Sequence, residues 1–220
     1  MTLIEELAPG LRVGVPIAER ALTDALDNWA LASFSPGSGR SLIHLREVEI
    51  GTGRPDAILV AVSSLGLRSR YQLGLRLPSL AHARVLDSIR SGRPSAYSKG
   101  HVRQLTKSLR ELGWLDCRNR VLTAPSLVER SLIIEAKMSD WRRGIGQLSR
   151  ARWAGHSAAL LMPVDTQHRA FRPALKHNRI GMLVFDGDRL TWQIQAPSID
   201  LRWSADLWLT ELAIRAGYDG

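Results

Sequence analysis

The stretch that most constrains this chain is Ser131-Leu132-Ile133-Ile134-Glu135-Ala136-Lys137. Three consecutive apolar residues, two of them β-branched, run into an acid, a small residue and a base. That pattern predicts a buried strand that turns polar at its end. Successive strand side chains point to opposite faces, so Glu135 and Lys137 share one face and Ala136 takes the other. A carboxylate and an ammonium at the end of an apolar strand are costly to bury without a partner or a chemical task. A plain ion pair would meet that requirement, and so would a catalytic site.

Two flanking stretches narrow the choice. Upstream, Gly53-Arg54-Pro55-Asp56 leads directly into another apolar run, Ala57-Ile58-Leu59-Val60-Ala61-Val62. Downstream, Gly144-Ile145-Gly146-Gln147-Leu148 lies in a helical pattern, followed by a further buried strand from Ala158 to Met162. The order is an acid at the start of one strand, E-x-K at the end of another, a Gln-bearing helix and a last strand. This order resembles the PD-(D/E)XK nuclease superfamily, the restriction-endonuclease-like fold. Pro55-Asp56 stands where the family has its PD pair, and Glu135-Ala136-Lys137 where it has (D/E)XK. Gln147 stands where many members carry a Gln on the following helix. The resemblance spans residues 1–77 and 129–220.

The resemblance implies an α/β fold, a central mixed sheet flanked by helices, and a metal-dependent DNA endonuclease. Phosphodiester hydrolysis needs charge stabilisation at phosphorus and an activated water. Mg2+ supplies both and takes hard oxygen ligands, and Mn2+ would substitute. The resemblance makes Asp56 and Glu135 metal ligands, with the Ala136 carbonyl as a third. It makes Lys137 the group that orients or deprotonates the attacking water, and Gln147 a holder of a neighbouring group. Carboxylates sharing one cation should lie within about 8 Å of each other. The family often places a further acid on its first helix. Glu19 is the candidate, with Glu5 and Glu6 behind it, and Glu49 is a second possibility on the strand before Asp56. A solvated helix face or hairpin edge accounts for each of these acids singly.

Elsewhere the periodicity predicts a short helix over Leu3–Leu7 and a longer one from Pro16 to about Phe34. A strand from Leu42 to Ile50 turns at Gly51-Thr52-Gly53 to pair with Ala57–Val62. The alternation ending at Leu77 predicts a third strand within Leu65–Leu77. Residues 78–128 then read as an insertion: a helix around Leu80–Ile89, a second capped by Ser98, and a hairpin over Trp114–Thr123. Two helices and a hairpin joined by Leu112-Gly113-Trp114-Leu115 resemble a winged helix-turn-helix, although Gly92–Ser98 leaves little room for its usual middle helix.

Charge gives this insert a separate argument. It carries nine bases and three acids, so it holds +6 of the chain's formal net charge of +9. Lys99, Arg103, Lys107 and Arg110 fall along one side of the second helix, clear of its apolar stripe. Arg118 and Arg120 lie in the hairpin, and Arg142 and Arg143 open the Gln147 helix. Such spacing suits phosphates along a groove, so the expected partner is DNA, double-stranded by preference. Only Lys99, Lys107, Lys137 and Lys176 are lysines among 30 basic residues. That arginine bias fits a GC-rich coding sequence as well as phosphate binding.

Cys117 is the sole cysteine, which excludes an internal disulfide and a multi-cysteine zinc site. No apolar run approaches the roughly 20 residues that span a bilayer, and no signal-like leader is evident, so a cytoplasmic location is expected. The alternatives to an autonomous nuclease are a non-cleaving DNA-binding protein and a subunit that cuts only within a larger complex. A homodimer is compatible with either.

Overall fold

The computed structural model describes residues 4–6, 17–34, 37–122, 125–164 and 170–218, with the backbone alone for 4–6 and 17–20. Among the described residues, seven strands form one mixed sheet whose spatial order equals the chain order. They are β1 (Ile4–Glu6), β2 (Arg40–Arg46), β3 (Ala57–Ser63), β4 (Val128–Ala136), β5 (Ser157–Pro163), β6 (Gly181–Phe185) and β7 (Leu190–Ile194). Strands β2, β3 and β4 run antiparallel to one another, as do β6 and β7. The β1–β2, β4–β5 and β5–β6 pairs are parallel. Parallel neighbours need a crossover, and helices α1 (Ile17–Ser33) and α5 (Trp141–Ala151) lie in the first two of these connections.

Alternation along the strands sorts the core into two layers. Leu132, Ile134 and Ala136 of β4 join Leu42, Leu59 and Leu161 under α1, against Leu22, Leu26, Trp29 and Ala30. Ile133 points the other way, with Ile43, Ile58, Val60 and Leu160, under α5 and the C-terminal helix α7 (Trp203–Tyr218). Strand β3 is buried on both faces except at its last residue, which is why it reads as an unbroken apolar run. His44 of β2 is buried on the α1 side and pairs with Asp27 of that helix. That contact gives it a structural role.

Two local expectations are corrected. Residues 4–6 are a strand, paired in parallel with β2, and not part of a helix over Leu3–Leu7. The segment after β3 is helix α2 (Ser64–Gln72), not a strand. Ser63 caps it by accepting from the Gly66 amide, and Leu67 and Arg70 form its buried side at i, i+3 spacing. The apparent alternation from Tyr71 to Leu77 spans the end of that helix and a loop. The hairpin expected over Trp114–Thr123 is present in short form: Leu115 bridges Val121, and the Leu122 and Asp116 amides donate to the Trp114 and Arg120 carbonyls at 3.0 and 3.1 Å.

Helices α3 (Leu80–Ser91) and α4 (Lys99–Glu111) follow α2. Ser98 caps α4 as the sequence implies, accepting from the His101 amide. Leu86, Leu105, Leu109 and Trp114 belong to the same buried cluster as Leu209 and Ile214 of α7 and the sheet residues beneath them. The basic segment therefore packs continuously onto the sheet's α7 side. No helix among the described residues is long and apolar enough to cross a membrane.

Candidate active site

Antiparallel register creates the site. Ala57 of β3 faces Ile134 of β4, so Asp56 and Glu135 come next at the same end of adjacent strands. The Asp56 carboxylate accepts from the Ala136 amide at 2.7 Å, which closes the ladder with a side chain. The loop ahead of Asp56 is held at several points. Glu47 adopts φ 50° and its amide donates to the Asp56 carbonyl at 3.2 Å. Arg54 bonds back to Glu47 through both its carbonyl and its carboxylate. Trp153 Nε1 donates to Thr52 Oγ1 at 2.7 Å, tying the loop tip to the turn beyond α5. A non-glycine residue at positive φ is strained, and here it sets the position of the Asp56 peptide.

Glu135 lies on the α5 side of β4 and is 1 % exposed. Lys137 reaches back along the same face. Its Nζ is 2.8 Å from Glu135 Oε1, 2.8 Å from the Ala136 carbonyl oxygen and 3.7 Å from Asp56 Oδ2. Three oxygens from two strands thus converge on one cationic atom. The Asp56 and Glu135 oxygens can be no further apart than the sum of their distances to that nitrogen, which is inside the about 8 Å expected of ligands to a shared cation. Burial, and then the Asp56 charge, push the Glu135 carboxyl up to about 7. The Lys137 ammonium acts in the opposite sense but does not cancel them.

Helix α5 covers this strand end because Gly144 permits it. A Cβ on Gly144 would stand 2.5 Å from Leu160 Cδ1 and 3.0 Å from Lys137 Cγ. Asp140 caps the helix by accepting from the Arg143 amide. Gln147, one turn beyond Gly144, lines a pocket of about 70 Å³ together with Glu135, Arg54, Arg150 and the Thr52–Pro55 loop. Glu135 Oε2 and Gln147 Oε1 are both buried without a hydrogen-bond partner among the described residues. Two unsatisfied acceptors beside one small pocket are costly, and a cation or a water-borne donor would relieve both.

The donor set suits a hard divalent cation. It offers two carboxylates and one carbonyl, all oxygen, with room for retained water. No cluster of three or more His, Cys, Asp or Glu side chains able to hold a metal occurs among the described residues. The set therefore depends on a backbone carbonyl as its third member. The structure brings together Asp56, Glu135, Ala136, Lys137 and Gln147. It does not bring Glu49 with them. That exposed side chain accepts from the Gly51 amide within its own turn. Glu19 sits on the first turn of α1, and its side chain, like those of Glu5 and Glu6, lies outside the described residues.

The DNA-contact candidates separate by partner. Lys99, Arg103 and Arg118 are exposed, and Lys107 is 3.9 Å from the equally exposed Glu111. Arg110 instead donates to Asn119 Oδ1 and Arg120 to Asp116, so these two brace the turn after α4. Arg142 and Arg143 are exposed on α5, with Arg142 over the Trp141 ring at 4.5 Å.

Sequence reasoning passed over Gly144, Arg54 and Arg150 as site residues. The signal for Gly144 was present: glycine in a helix interior costs about 1 kcal/mol relative to alanine, and often marks a close approach. Nothing in the spacing of Arg54 and Arg150 separates them from the other arginines. Comparison with known protein families, with curated proteins and with solved structures found no match in any of the three.

Proposed function

We propose that this chain is a divalent-metal-dependent DNA endonuclease of PD-(D/E)XK type, acting in the cytoplasm on double-stranded DNA in restriction, defence, repair or mobile-element processing. The observation that carries the reading is the convergence of Asp56 Oδ2, Glu135 Oε1 and the Ala136 carbonyl on a single cationic centre, beside two buried oxygens with no partner among the described residues. The element order supports it: Asp56 at the start of β3, E-x-K at the end of the antiparallel β4, the Gln147 helix, then the parallel β5. In the proposed site Asp56, Glu135 and the Ala136 carbonyl hold Mg2+, which supplies Lewis-acid stabilisation of phosphate charge and a more acidic water. Lys137 then turns from the carboxylates toward the phosphate and the attacking water, and Gln147 fixes a group at the pocket wall. The helices α3 and α4 act as the winged-helix-like DNA-binding insert, with Lys99, Arg103, Lys107 and Arg118 on phosphates.

One observation favours a second reading. Lys137 already lies near one oxygen of each of the three proposed ligand groups, so the strand end carries its own counter-ion. A non-cleaving DNA-binding protein, or a subunit activated only in a complex, would need nothing more. The deciding experiment incubates plasmid, linear and branched DNA with the purified chain in Mg2+, Mn2+ or EDTA. The nuclease reading expects metal-dependent cleavage, lost in Asp56→Asn and Glu135→Gln. DNA binding without cleavage of any form under any metal would overturn it in favour of the second.

A further inference from the structure

A second concave surface lies beside the candidate active site. It is a groove of about 460 Å³ between α6 (Arg172–His177) and the sheet-edge strand β7. Its rim carries Arg172, Lys176 and Arg179, and its opposite wall carries Gln193 and Gln195. The floor is Ile180, Ile194 and Pro197. No acid lines it, and none of the three cations forms an ion pair among the described residues. No aromatic ring lines it either, so it offers nothing for a base to stack on.

Three features show that the groove is built. Gln193 is the extra residue of a bulge, because Trp192 pairs with Leu183 and Ile194 with Met182. Bulges re-aim side chains at sheet edges. Arg152 donates to the Pro197 carbonyl at 3.0 Å, which fixes the wall after β7. Arg179 occupies the residue after the α6 C-cap at φ 55°. Its amide bonds Lys176 O and the Ile180 amide bonds Leu175 O, the paired closure that normally uses glycine. An arginine in that conformation is strained relative to glycine, and this one lines the groove.

The groove also connects to the site. Ser149 Oγ of α5 donates to Asn178 Oδ1 at 3.0 Å. Its neighbour Arg150 lines the site pocket, and Arg179, next to Asn178, lines the groove. A link of neighbouring residues, Arg150–Ser149 to Asn178–Arg179, therefore joins the site pocket to the groove.

We infer that this groove binds the sugar-phosphate backbone of duplex DNA beyond the bond to be cut, through Arg172, Lys176 and Arg179, with Gln193 and Gln195 as uncharged donors. The inference rests on the nuclease reading for the direction of the link, but not for the contact itself. Without stacking groups, binding here is independent of base sequence and its strength follows the salt concentration.

The test measures anisotropy of a labelled duplex and of the matching single strand, in EDTA, across a salt series. Arg179→Gly is expected to lower the duplex salt slope by roughly 1, and Arg172→Ala/Lys176→Ala/Arg179→Gly by roughly 2–3. Arg179→Gly should also raise the melting temperature by about 2–4 °C, so its weaker binding cannot be ascribed to misfolding. An unchanged duplex slope in the triple variant overturns the inference. So does a change confined to the single strand, or a wild type that binds no duplex. Cleavage in Mg2+ is scored separately. Groove-dependent binding without cleavage leaves this inference standing and removes the nuclease reading, and cleavage with an unchanged slope does the reverse.

Discussion

Two buried glutamates, Glu135 and Glu211, are 1 % and 0 % exposed, yet their surroundings differ in kind. Glu211 of α7 has two donors on each oxygen. Arg76 and Arg215 approach Oε1 at 2.9 and 3.2 Å, and the Leu77 amide and Arg70 approach Oε2 at 2.8 and 3.3 Å. Arg70 is itself fixed, donating to the Leu75 carbonyl and lying over the Trp114 ring. Its burial lowers its pKa to about 10, against the opposing pull of Glu211. Glu135 has one ammonium for Oε1 and, among the described residues, nothing for Oε2, and a second carboxylate stands nearby. A fully satisfied buried charge is a structural rivet. A half-satisfied one leaves a buried acceptor open to an added donor or cation, at a cost to the unliganded fold.

The comparison predicts unequal costs for losing the two carboxylates. Glu211→Ala leaves a buried arginine cluster without its anion, and breaking a buried pair of this kind costs about 3–5 kcal/mol. Helices α2 and α3 pack on α7, so denaturant melts should show destabilisation of the whole chain. Glu135→Gln in metal-free buffer should cost far less, since it removes a charge that its site does not fully stabilise. Equal destabilisation by the two would break the distinction.

Activity should divide the other way. Lys137→Ala removes the ammonium but leaves Asp56, Glu135 and the Ala136 carbonyl in place. Removing one electrostatic contact to a transition state costs about 10²–10³ in rate. Cleavage by the folded variant should drop by that factor while DNA affinity stays near wild type. A melt with and without Mg2+ separates this from unfolding, and a rate equal to wild type would remove Lys137 from the chemistry. Glu211 variants that remain folded should cut normally.

The pH dependence sharpens the contrast further. Glu135 is raised from 4.5 to about 7 by burial and by Asp56. Below that window both folded and unfolded chains hold the proton. As pH rises through it, the unfolded chain releases its proton while the folded one keeps it, so folding stability falls and the decline is complete above about 7. At about 1.4 kcal/mol per unit of displacement, the decline is on the order of 3 kcal/mol. Urea melts of the metal-free protein on either side of the window should show it. Glu135→Gln should flatten it, and Mg2+ should restore stability at the alkaline end in wild type alone. A wild-type profile as flat as that of Glu135→Gln would mean that the carboxyl is solvated.

How much of this was legible depended on whether the signal was local. Strand alternation placed Glu135 and Lys137 on one face, and the short Gly51–Gly53 turn paired the run after Asp56 with the strand before it, whereas the β3–β4 register that sets Asp56 beside Glu135 was implied by the resemblance alone. The Ser98 cap and apolar stripe located α4. What failed had competing local signals. Leu65–Leu77 alternates over a few residues, but the Ser63 cap and the burial of Leu67 and Arg70 draw its first part into a helix. The Glu211 cluster was invisible, because its arginines lie more than a hundred residues from it for Arg70 and Arg76, and one turn away for Arg215. Only the folded topology says which of so many arginines face a carboxylate.

The same distinction between spent and available cations gives the smallest predicted effect. Arg70, Arg76 and Arg215 are committed to Glu211, and Arg110 and Arg120 to the turn after α4. Arg103 is exposed on α4 with no ion pair among the described residues, and Lys107 has only a surface contact of 3.9 Å with Glu111. Surface pairs of that kind contribute less than about 1 kcal/mol. Arg103→Glu/Lys107→Glu should therefore change folding stability by no more than about 0.5 kcal/mol per site. If α4 lies along DNA, the double substitution should lower the salt slope of binding by roughly 2, near one unit for each phosphate that the helix no longer neutralises. Cleavage at saturating protein should survive, because the substitutions leave the β3–β4 strand ends untouched. An unchanged slope would show that this side of α4 does not touch the backbone.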